Sequence, residues 1–148
     1  MSLPLAGKVA LVTGSSRGIG AAIATRLAAD GVSVVVNYLD SAAAADALVQ
    51  QINAAGRGKA VAIKADMSSV ADSTRLVDEM VQRFGRLDIL VLNAGIMTDA
   101  LLADIDEKQF GDQFAVNVKV PLFITKAASK YLTSGAFLYY HIYAPVLF

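Results

Sequence analysis

Cysteine is missing from the 148 residues, and histidine occurs once. Without cysteine there is no disulfide framework and no thiolate metal site, and one histidine does not build a histidine-based centre; no metal is expected. Surplus charge is missing as well. Thirteen basic residues balance thirteen acidic ones, so no net field draws the chain to nucleic acid or an anionic membrane. Long apolar runs are also lacking: the nearest, Ala136 to Phe148, has thirteen residues, short of the roughly 20 a membrane span needs. Met1 to Lys8 is too short and too mixed for a signal peptide. These absences lead to the expectation of a soluble, cytoplasmic protein.

What is present is a regular beat. Lys8–Thr13, Val32–Tyr38, Lys59–Ala65 and Leu87–Leu92 are short, β-branched runs bounded by Gly or Asp. Continuous apolar strands of this kind suit a parallel sheet covered on both faces. Helical patterns lie between them. Ile19–Ala29 stops at Asp30-Gly31, and Ser41 is placed to cap a helix closed by Gly56. Ser69 to Asp72 resembles a capping box for a helix ending at Phe84-Gly85. Asp106 to Gln109 opens a long helical region through Leu132, which Pro121 should kink or split. The expected fold class is α/β: a Rossmann-like, doubly wound parallel sheet of four to five strands with flanking helices.

Thr13-Gly14-Ser15-Ser16-Arg17-Gly18-Ile19-Gly20 follows the first strand and opens the first helix. Gly14 permits the tight turn, Gly18 lets a pyrophosphate approach the backbone, and Gly20 lets helix and sheet pack closely. The helix N-terminus offers free N–H groups and a positive dipole end to phosphate. Three more motifs follow in order: Asp66 ending the third strand, Leu92-Asn93-Ala94-Gly95 after the fourth, and Asn117 in Phe114-Ala115-Val116-Asn117-Val118. Together they resemble the short-chain dehydrogenase/reductase family over Lys8 to Gly135, in particular its NADP-dependent 3-oxoacyl and ketone reductases.

The resemblance implies a dinucleotide-binding domain over residues 1–135, with Asp66 on the adenine amino group and Asn93-Ala94-Gly95 lining the ribose and nicotinamide. The candidate cofactor-binding set is Gly14, Ser16, Arg17, Gly18, Ile19, Gly20, Asn37, Asp66, Met67, Asn93, Ala94 and Gly95. Where an NAD-selective enzyme carries a carboxylate at the end of the second strand, this chain has Asn37-Tyr38. Arg17 is available to pair with a 2′-phosphate and Ser41 to add a hydroxyl. NADP(H) is therefore favoured over NAD(H), with Asp40 as the opposing feature.

The family acid is the tyrosine of Tyr-x-x-x-Lys, assisted by a serine ending the fifth strand. The tyrosines here are at 38, 131, 139, 140 and 143, and none has lysine four residues later. Gap-free extrapolation puts Tyr143 near the serine position. Of the family's catalytic set only Asn117 has a counterpart, and a structural amide at a helix kink is its other reading. The resemblance thus implies a carbonyl oxidoreductase truncated after its N-terminal half, with a small carbonyl compound as substrate and standard activity not expected. Residues 136–148 form a divergent aromatic tail in which Ala136–Tyr143 can make a fifth strand. Two further readings stay open: a rebuilt acid/base site using Tyr143 and His141, redox or not, and a non-enzymatic partner. The helix over Phe110–Tyr131 packs in a dimer interface in the parent fold. Val116, Val120, Phe123, Ile124 and Ala127 would give it an uncovered apolar face, so a homo-oligomer is expected.

Overall fold

A computed structural model describes residues 3–140. Five parallel strands form one sheet in the order β3-β2-β1-β4-β5. They are β1 (Val9–Val12), β2 (Ser33–Tyr38), β3 (Lys59–Lys64), β4 (Leu87–Leu92) and β5 (Leu132–Tyr140). All four residues of β1 are buried, as a central strand covered on both faces requires. On one face Ala24 and Ala28 of α1 (Gly18–Ala29) and Leu48 and Ile52 of α2 (Ala42–Ala55) pack on Val12, Val34 and Val36. On the other, Leu76, Val77 and Met80 of α3 (Val70–Phe84) meet Leu11, Val35 and Leu90. This is the expected fold class.

Several local signals act as read. Gly56 and Gly85 close α2 and α3 in the left-handed conformation. The Ser69 hydroxyl accepts the Asp72 N–H, and the Asp106 carboxylate accepts that of Gln109. Ser41 stands at the N-cap of α2, but its hydroxyl makes no capping bond.

The helical region after β4 splits near Pro121 as read, but ends short of the expected limit. It divides into α4 (Glu107–Phe114), a π-helical turn at Ala115–Lys119, and α5 (Val120–Ala128), which ends before Leu132. The split lies just before Pro121, whose missing N–H withdraws the i+4 bond from the Asn117 carbonyl. The apolar face is corrected in all but Phe123, which is exposed. Val116, Val120 and Ile124 are buried and Ala127 packs against the core, because α5 lies on β4 and α3. The outward stripe is instead Phe110, Phe114, Val118 and Leu122, with the Phe110 and Phe114 rings stacked 5.6 Å apart.

β5 begins earlier than Ala136 and crosses position 135. Leu132 pairs with Leu87 and Phe137 with Ile89, so β4 advances two residues while β5 advances five. Gly135, at φ 86°, lies in that irregular stretch, and its missing Cβ admits the conformation.

Candidate functional site

Strand order reverses where β1 lies between β2 and β4, and the carboxyl ends of the strands meet there. In open α/β sheets that crevice is where ligands bind. A cleft of about 540 Å³ opens there, lined by Gly14, Ser16, Arg17, Gly18, Ile19, Asn37, Asp66, Met67, Asn93, Ala94 and Gly95. The strand ends thus bring together every sequence-derived binding candidate except Gly20, which is buried beneath. A Cβ on Gly20 would stand 2.5 Å from Asn93 Nδ2 and 2.7 Å from the Gly14 carbonyl, so only glycine lets α1 sit this close. Gly14 and Gly18 both take φ near 59°.

Arg17 is the N-cap of α1 and makes no side-chain capping bond. The first-turn N–H groups therefore keep their hydrogen-bonding capacity, and the positive end of the helix dipole faces the cleft. The Arg17 side chain is exposed and enters no ion pair among the described residues. Beside it the end of β2 adds Tyr38, Leu39, Asp40 and Ser41 to the lining.

The polar residues beneath the cleft hold its walls. Asn37 is buried: its Oδ1 accepts the Gly14 N–H at 2.9 Å, and its Nδ2 donates to the Ala65 carbonyl at 3.1 Å. Its amide is thus engaged with the backbone, which ties the glycine loop to β2 and β3. Ser15 and Thr13, which motif reading missed, do similar work. The Ser15 hydroxyl donates to Val12 O and accepts the Asn37 N–H. The Thr13 hydroxyl accepts N–H bonds from Asn93 and Ala94, each at 3.0 Å. Asn93 Nδ2 donates to the carbonyls of Thr13 and Gly14, stitching β4 to β1. Its Oδ1 is buried and has no hydrogen-bond partner among the described residues. An orphaned acceptor is costly unless something supplies a donor.

Asp66 lines the cleft and also caps its own loop, Oδ1 accepting the Ser68 N–H at 2.7 Å. Its backbone N–H donates to Asp72. That bond is the main reason the Asp72 carboxyl lies below the usual carboxylate range; burial opposes it and Arg75 assists.

Asn117 sits in the π-turn outside the cleft wall. Its Oδ1 accepts the Ile96 N–H at 3.0 Å and its Nδ2 donates to the Ile96 carbonyl at 2.8 Å. Both ends of the amide are occupied by backbone. Ile96 lines the cleft, and nothing in its side chain announced this in the sequence. Tyr143 and His141 lie outside the described residues. A second cavity, about 520 Å³ between α1 and the β4–β5 face, is walled by Ile23, Leu27, Val91, Phe137 and Tyr139. Its two charged residues, Lys8 and Asp88, pair with each other, so it lacks the convergent polar groups of a binding site. No His/Asp/Glu group able to hold a metal occurs among the described residues, and no described helix is long and apolar enough to cross a membrane.

A profile of the short chain dehydrogenase family matches residues 8–137. The chain belongs to this family. It is 53% identical over 131 residues to an uncharacterized oxidoreductase of Methylorubrum extorquens, covering 88% of this chain and 52% of that protein. It is 48% identical to elsinochrome reductase 1 of Elsinoe fawcettii, covering 88% and 49%. A solved short chain dehydrogenase from Burkholderia cenocepacia, in complex with NADP, superposes with a TM-score of 0.88 at 45% identity, over 91% of this chain and 55% of that one. A blue fluorescent protein from a metagenomic library, in complex with NADPH, gives 0.87 at 39% identity, with the same coverage. The chain spans about half the length of the curated relatives it matches.

Proposed function

We propose that the cleft binds NADP(H), with the phosphates against the α1 N-terminus. The observation that carries this is the uncapped first turn of α1 opening into the switch-point cleft. Two details of the structure fit such a ligand. A Cβ on Gly18 would meet no protein atom within 4 Å, which leaves open space beside the turn. Asn93 Oδ1 is a buried acceptor awaiting a donor of the kind a ribose hydroxyl provides. The NADP and NADPH complexes of similar chains support the same choice.

In this reading Ser16 to Ile19 bind the pyrophosphate, Arg17 pairs with the 2′-phosphate, and Asp66 and Met67 flank the adenine. Asn93, Ala94 and Gly95 line the nicotinamide side. When bound, NADPH supplies a hydride to a carbonyl carbon, the reaction class inherited from the family. The 148 residues contain no Tyr-x-x-x-Lys to protonate the resulting oxygen; what they support is binding of the dinucleotide. Titration of the chain into NADPH, followed by nicotinamide fluorescence, should give a saturable signal that NADP⁺ competes away. A flat titration would remove the reading.

The outward stripe favours a second property, self-association through α4 and α5. Phe110, Phe114 and Leu122 are 62%, 49% and 66% exposed, a continuous apolar face of the sort that marks contact surfaces. Light scattering should show a dimer or larger species that Leu122→Glu converts to monomer. A monomeric parent chain at micromolar concentration would contradict this.

A further inference from the structure

The π-turn leaves a trace that the dinucleotide reading does not use. In an α-helix the carbonyl of residue i accepts the N–H of residue i+4. For Asn117 that residue is Pro121, which has no N–H to give and whose ring crowds the same carbonyl. The backbone responds by widening: the Val120 N–H reaches back to the carbonyl of Ala115, the π spacing. The phenol of Tyr140, at the end of β5, donates to the Asn117 carbonyl that Pro121 cannot serve.

The contacts then run in series. Tyr140 holds the Asn117 backbone, the Asn117 amide holds both backbone polar groups of Ile96, and Ile96 walls the cleft beside Gly95. We propose that Tyr140 is a positioning residue for the nicotinamide side of the cleft, acting through the carbonyl freed by Pro121. The inference rests on the dinucleotide reading for its ligand, but the link from Tyr140 to Ile96 stands independently of it. Burial pushes the Tyr140 phenol up.

Tyr140→Phe retains the ring and removes the donor. Three measurements on the 148-residue chain decide the matter. Amide exchange at Ile96, whose N–H is bonded to Asn117 Oδ1, should quicken roughly three- to tenfold, the worth of one hydrogen bond. NADPH affinity should fall by a similar factor, while that of 2′,5′-ADP, which lacks the nicotinamide half, should not change. In a Pro121→Ala background the restored N–H can serve the carbonyl, and Tyr140→Phe should lose most of its effect. Unchanged exchange at Ile96 would overturn the proposal. Equal weakening of NADPH and 2′,5′-ADP would also overturn it, since that is general destabilisation, as would an undiminished effect in the Pro121→Ala background. If the parent chain binds neither nucleotide, the reading of the cleft fails, and exchange at Ile96 alone decides for or against Tyr140.

Discussion

The two flanks of the β1–β4 seam are built differently. On the β2–β3 side, six consecutive residue pairs hold register without interruption, α1 and α2 are unbroken helices, and Asn37 joins the glycine loop to both strands. On the β4–β5 side the register slips, the helix is divided by a π-turn, and large apolar side chains such as Phe110 and Phe137 remain outside. The first flank is redundant, with several bonds fixing each segment. The second runs in series through Tyr140, Asn117 and Ile96, with one bond at its first link and two at its second. In the proposed dinucleotide pose, the half of the cleft assigned to adenine should therefore tolerate perturbations that disorganise the half assigned to nicotinamide.

The strongest way to break this contrast is at the seam itself. Gly20→Val drives a side chain into Asn93 Nδ2 and the Gly14 carbonyl. It should cost about 3 kcal/mol of stability by overpacking and abolish binding of both NADPH and 2′,5′-ADP, read by denaturation and fluorescence. Asn93→Ala is next. It removes two donated hydrogen bonds between β4 and the loop but also the orphaned Oδ1, so the net loss should be about 2 kcal/mol, or roughly 4–8 °C in Tm.

A smaller effect sharpens the comparison through pH. Burial pushes the Asp88 carboxyl up, but hydrogen bonds from Arg86, the Val9 N–H and Lys8 outweigh it and hold the group below the usual carboxylate range. A depressed folded pKa gives stability that is present above the unfolded value, about 3.9, and lost as pH falls through the folded one. Asp88→Asn should weaken the fold at pH 7 and flatten its acid limb below about pH 4, seen by circular dichroism. The smallest expected change is in cofactor choice. Arg17→Ala should lower NADPH affinity about fivefold, as expected of an exposed charge contact, and leave NADH affinity unchanged.

The same contrast explains what the sequence made legible. The first flank obeys local rules: apolar strand runs, a glycine turn, left-handed glycines at helix ends. Its fold and most of its lining could be read residue by residue. Asn37 lines the cleft, but the engagement of its amide with Gly14 and Ala65 needed the neighbouring strands. The second flank is decided by tertiary contact. The burial of Val116, Val120 and Ile124 follows from where α5 lies, and of the outward face read from helical periodicity only Phe123 is exposed. Ile96 contributes backbone, which leaves no mark in composition. Tyr140 was one tyrosine among several until β5 brought it to the carbonyl opposite Pro121.

The most direct test of the account is a residue-resolved one: amide spectra of the isotopically labelled chain titrated with NADP⁺. Saturable shifts concentrated at Ser16 to Gly20 and at Ala94 to Ile96, with little change in the outward stripe of α4 and α5, are the predicted result. Shifts confined to the apolar cavity at Phe137 and Tyr139, or none at the α1 N-terminus, would contradict it.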